Sequence, residues 1–246
     1  MIDNFVNKLE EKYGYTDELC DFLKQLIPTL VNYYGDDKLE LILNALDNCE
    51  IFLNKKGLSG ENRNIVDINV GKVNFKYTIS IYPSLPECKS TLIHEICHLI
   101  KDYNRYTIDG DNVISYCGLL EQNYKYNSKE KEYDYLSSKH TMFEEMFNEY
   151  DTLQIDNMLG IKCPGSIYMF KGNTVPFIEN NHELYEVVRQ SQFYDPKSWL
   201  EFIPEEIKDE VMGMYNVEGN NMDAADDFMK FICKANEKQS MNRHSK

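Results

Sequence analysis

The chain has 246 residues, 26 of them basic and 41 acidic, for a formal net charge of −15. A surface of that sign repels phosphate backbones and no lysine–arginine cluster interrupts it, which argues against nucleic acid as a partner. No apolar run approaches the roughly 18 residues needed to cross a bilayer, and the opening stretch MIDNFVNKLEEKYGYTDELC mixes charge with apolar residues instead of building a secretory signal.

From about Asn4 to Leu46 the apolar residues recur at helical spacing: Leu19, Phe22, Leu23, Leu26 and Ile27, then Leu39, Leu41, Ile42, Leu43 and Leu46. This predicts a helical segment over 1–48. CEIFLNKKG reads as a first strand. In IVDINVGKVNFKYTISIYP, Val66, Ile68 and Val70 alternate with polar residues, Gly71-Lys72 suits a two-residue turn, and Val73, Phe75, Tyr77, Ile79 and Ile81 alternate on the return. A β-hairpin is expected there. Ser84-Leu85-Pro86-Glu87 then has the form of a capping box with proline in the first turn, which starts a helix at about Leu85.

After Ile100 a polar region rich in Asn, Tyr and Lys is interrupted by one candidate strand, NVISYCGLL, and a second helix is predicted from about His140 to Leu159. From about His182 onward several helices are expected, broken near Pro196, Pro204 and Gly219, with a charged tail that frays. The organisation is therefore α+β, with a core at 49–160 and a mainly helical segment at 161–246. The seven cysteines are odd in number and form no Cys-x-x-Cys pair. They read as reduced thiols of a cytoplasmic protein and disfavour a cysteine-built structural zinc site. Trp199 reads as a packing anchor.

The stretch TLIHEICHLI (residues 91–100) places three ionisable groups in an apolar helix. At about 100° per residue, Leu92, Ile93, Ile96, Cys97, Leu99 and Ile100 form one apolar arc, and His94 and His98 stand one turn apart beyond its edge. Cys97 belongs to the core side. His-Glu-x-x-His supplies two imidazole ligands to a divalent metal and, in Glu95, a base beside the bound water. With five histidines and 41 acidic residues in 246, composition alone sets an upper bound of about 0.02 accidental matches.

Two histidines leave a catalytic zinc site one protein ligand short. In TMFEEMFNEYDTLQI, Phe143, Met146, Phe147, Tyr150 and Leu153 make a core stripe, and Glu145 and Glu149 lie one turn apart off its flank. A cation, or an imidazole donating a hydrogen bond, would relieve the repulsion between them.

His94-Glu95-x-x-His98 followed by a glutamate on a later helix resembles the gluzincin zinc peptidases, the group containing thermolysin and aminopeptidase N. FEEMFNEY is similar to the glutamate-ligand helix of the aminopeptidase branch, and the resemblance implies a zincin-like domain with a small, mostly antiparallel sheet packed on the active-site helix and flanked by helices. It places the third ligand at Glu145, and puts Glu149 where an acidic residue orients a ligating histidine. The competing assignment, Glu149 as ligand, puts Leu153 where that acid should be.

The expected activity is hydrolysis of peptide bonds in a peptide or protein substrate. Zn2+ held by His94, His98 and Glu145 acidifies a water, and Glu95 removes its proton and passes it to the leaving amine. His182, Tyr150, Tyr168 and Tyr185 are candidate donors to a developing oxyanion. The strand Val73–Ile81 is expected to offer an edge for an extended substrate. Two other readings are open: an inactive or regulatory metal-binding interaction module, against which the intact Glu95 argues, and a zinc hydrolase of non-peptide amides.

Overall fold

The computed structural model describes residues 1–53, 60–69, 72–82, 84–162, 171–219 and 222–244. In chain order, helices α1 (Ile2–Tyr13), α2 (Asp17–Tyr34) and α3 (Leu39–Asp47) precede strands β1 (Cys49–Leu53), β2 (Gly60–Asn69) and β3 (Lys72–Ile81) and helix α4 (Leu85–Asp102). Strands β4 (Tyr106–Asp109), β5 (Asn112–Cys117), β6 (Leu120–Asn127) and β7 (Glu132–Lys139) follow. The chain then continues as α5 (Thr141–Leu159), α6 (Lys171–Asn180), α7 (His182–Ser191), α8 (Lys208–Tyr215) and α9 (Met222–His244). The class is α+β.

Two compact units divide the chain, Met1–Asn104 with Asp151–Gly165 and Arg105–Tyr150 with Ser166–Lys246. Both are discontinuous in sequence, whereas the segments read from the sequence are consecutive. Helix α5 belongs to both, with its first ten residues in the second unit and Asp151–Leu159 in the first. Among the described residues no helix is long and apolar enough to cross a membrane.

In the first unit, Thr16 caps α2 by accepting the Leu19 N–H at 3.4 Å, and Leu19, Phe22, Leu23, Leu26, Ile27 and Leu30 form its buried stripe. These follow the spacing expected of a helix with one face in a core. The sheet has the order β1-β3-β2, with β1 parallel and β2 antiparallel to β3. Tyr77, Ile79 and Ile81 on β3 are buried, while Thr78 and Ser80 between them are partly exposed, the period-two signature of a strand covered on one face.

Two expectations need correction here. Strand β3 is interior, its two sides taken by β1 and β2, so Val73–Ile81 offers no edge to a substrate. Asn69 pairs with Lys72, which makes Lys72 a strand residue and not half of a two-residue turn; Gly71 lies outside the described residues. On the outer side of β1 the Tyr15 hydroxyl donates to the Cys49 carbonyl at 3.0 Å and accepts the Ile51 N–H at 3.0 Å.

Ser84 takes the extended backbone of an N-cap before α4, without the side-chain capping bond expected of a capping box. A kink at Cys88 (φ −118°, ψ 19°) ends the first turn. Beyond it Leu92, Ile93, Ile96, Cys97, Leu99 and Ile100 are fully buried, and they are the residues of the apolar arc.

The second unit opens with the antiparallel meander β4-β5-β6-β7, where the sequence pointed to one strand in a polar region. Its helices pack around Phe143, which stacks on Trp199 at 5.1 Å between ring centroids and meets Tyr215 edge-on at 5.4 Å. Trp199 is fully buried and donates its indole N–H to the Pro196 carbonyl at 3.1 Å. Helix α6, with Pro176 inside it, was not expected, and the charged tail is helical through His244.

Candidate metal centre

Helix α4 presents His94 and His98 one turn apart, both buried. Their rings meet edge-on at 4.7 Å and 84°, and the two Nε2 atoms are 3.1 Å apart. Two nitrogens each about 2.0–2.1 Å from a tetrahedral ion would be about 3.3 Å apart. The imidazoles thus turn the same nitrogen toward one point, at a separation close to that of two ligands on one metal.

The ligand-capable atoms of His94, His98 and Glu145 all lie within 4.8 Å of one another. Two imidazoles and a carboxylate form a donor set suited to zinc, so the residues present fit such an ion. Glu149, one turn further along α5, is buried but is not one of the three. Glu95, next to His94, is partly exposed. Of the glutamates considered as third ligand, it is Glu145 that the fold brings to the histidines.

The neighbouring Glu144 faces another way. Its carboxylate is fully buried, and Oε2 accepts the Leu119 N–H at 2.7 Å and a Gln192 side-chain N–H at 2.8 Å. Gly118, at φ 58°, lies against it, and a Cβ there would collide with the carboxylate. Arg105 in turn donates to the carbonyls of Gln192 and Gly118. Glu144 is therefore a buried hub of the second unit, one residue from the candidate ligand.

Sequence reasoning missed a second group of residues. Lys101 and Asp151 are both fully buried and form an ion pair at 2.8 Å. Asp151 also accepts the Tyr33 hydroxyl at 2.8 Å and the Tyr34 hydroxyl at 3.0 Å. Further along α5, Asp156 accepts the Ser90 hydroxyl at 2.6 Å. The available signal was helical phase, because Lys101 follows His98 by three residues and His94 by seven and so shares their face. A lysine in the last turn reads more simply as a complement to the helix C-terminus. Burial pushes the neighbouring Cys97 thiol up to about 12, in keeping with its place in the core.

Of the candidate oxyanion donors, Tyr150 and Tyr185 are buried and pack edge-on at 4.9 Å. The His182 side chain is 66% exposed and lies 3.9 Å from Glu186, and Tyr168 lies outside the described residues. A cavity of about 310 Å³ in the first unit, lined in part by Tyr13, Tyr15, Glu50, Phe52 and Leu85, includes none of the three clustered residues. Glu130, Glu132 and Asp134 also approach one another but are exposed, where acidic groups commonly cluster without an ion. Compared with protein-family models, curated proteins and solved structures, the chain finds no match.

Proposed function

We propose that the chain is a zinc-dependent peptidase of zincin type, with His94, His98 and Glu145 as metal ligands and Glu95 as general base. The observation that carries this reading is the convergence of two buried imidazoles from α4 and a carboxylate from α5 within 4.8 Å, beside a glutamate that the ligand set does not use. A bound zinc ion supplies Lewis acidity, polarising the scissile carbonyl and bringing the pKa of a water down to about 7.

The remaining chemistry belongs to the chain. Glu95, on the same turn as His94, takes the proton that the water gives up as its oxygen bonds to the carbonyl carbon. It then delivers that proton to the amine nitrogen as the C–N bond breaks, and returns to its carboxylate form. Glu149, buried one turn from Glu145, holds a ligating imidazole in one tautomer by accepting its other N–H. A substrate lying in extended form would pair with an outer strand of the first sheet, because β3 is interior.

The test is metal content followed by cleavage. Protein purified without added zinc should carry about one zinc per chain and cut members of a mixed peptide library. Glu95→Gln should keep the metal and lose cleavage by about 10²–10⁴-fold, whereas Glu145→Ala should lose the metal. Absence of zinc uptake by the unaltered chain, or stoichiometric zinc in Glu145→Ala, would refute the assignment.

A further inference from the structure

We infer that the buried Lys101–Asp151 ion pair and the Ser90–Asp156 hydrogen bond are a two-point attachment that positions α5 on α4, and so set where Glu145 meets His94 and His98. The inference rests on the metal-centre reading above.

Both attachments join α4 to Asp151–Leu159, the part of α5 that belongs to the first unit. On α4 they sit at Ser90 and Lys101, on either side of His94 and His98. On α5 they sit five residues apart, at Asp151 and Asp156. One contact would leave a helix free to pivot. Two prevent both sliding and rotation.

The chemistry at Asp151 is directional. Oδ1 accepts from Tyr33, and Oδ2 accepts from Tyr34 and Lys101, so α2 and α4 hold the carboxylate together. A buried ion pair adds little net stability over apolar residues of the same volume. Its use here is in holding Asp151–Leu159 to α4 in one register. A slip of one residue along α5 translates Glu145 by about 1.5 Å and turns it by about 100°. Metal ligands tolerate errors of only about 0.2 Å in bond length. Lys101 and Asp151 are thus positioning residues, acting on the ion through α5 and Glu145.

The experiment is zinc affinity by chelator competition, together with the visible spectrum of the Co2+-loaded protein, for the unaltered chain and the double variant Lys101→Met/Asp151→Leu. The variant should fold, by far-ultraviolet circular dichroism and unfolding midpoint, yet bind zinc about 10–100-fold more weakly and give an altered Co2+ spectrum. If a folded double variant keeps zinc affinity within twofold and an unchanged spectrum, the inference is overturned while the metal centre stands. Failure of the unaltered chain to take up zinc removes both. Should the double variant not fold, Ser90→Ala, which removes one of the two attachments, carries the comparison: weaker zinc binding supports the inference, and unchanged affinity overturns it.

Discussion

Glu144 and Glu145 are adjacent and chemically identical, yet their removal should have opposite consequences. In Glu144→Ala, the Leu119 N–H and the Gln192 amide lose their acceptor while remaining buried. Each stranded donor costs about 1–3 kcal/mol, so the loss should be about 2–6 kcal/mol, a large part of the about 5–15 kcal/mol that holds a domain folded. Glu145→Ala removes a partly buried side chain and should change stability by less than about 1 kcal/mol. The assay is urea unfolding of metal-free protein, which keeps ligand linkage out of the comparison. Trp199, the one tryptophan in the chain, stacks on Phe143 beside the mutated position and reports by fluorescence. Equal unfolding midpoints for Glu144→Ala and the unaltered chain, or a Glu145→Ala variant destabilised as much as Glu144→Ala, would refute the division of roles.

Gly118→Ala should destabilise by more than about 1 kcal/mol, because the added Cβ meets both an unfavourable left-handed backbone and the Glu144 carboxylate; Glu144→Ala should relieve part of this in a double-mutant cycle. His140 stacks on Tyr215 at 3.7 Å and bonds the Tyr215 carbonyl through Nδ1 at 2.7 Å, and burial lowers its pKa from the usual 6.5. The unfolded chain therefore takes up the proton first. The His140 contribution should be constant above about pH 6.5 and destabilise the fold as pH drops below it. His140→Asn, which suits the positive φ of 64°, should flatten the decline between pH 7 and pH 5 in denaturant unfolding.

What could be read in advance follows the range of the forces involved. Helix α4 was legible because a proline opens its first turn and its buried face is a continuous arc from Leu92 to Ile100. Strand β3 was legible because Tyr77, Ile79 and Ile81 alternate with polar residues. The pairing of β1 with β3 is parallel and long-range, and no turn residue announces it. Most of the second sheet escaped because β7 is exposed along nearly all its length, so its side chains carry no apolar period. Pro176 lies inside α6, where a proline interrupts the local helical signal. At the metal centre, the spacing of His94 and His98 is a property of one helix and could be read directly. The different fates of Glu144 and Glu145 depend on Leu119 and Gln192, far away in sequence, and the bonds from Tyr33 and Tyr34 to Asp151 span more than a hundred residues.

The phenol of Tyr15 fills the positions on β1 where another chain would otherwise bond. With that hydroxyl engaged by Cys49 and Ile51, the first sheet cannot add a strand at this border without first displacing an aromatic side chain. Stray association through exposed backbone is blocked on that flank. Growth of the sheet, whether by a productive ligand or by misassembly, is directed to the β2 flank.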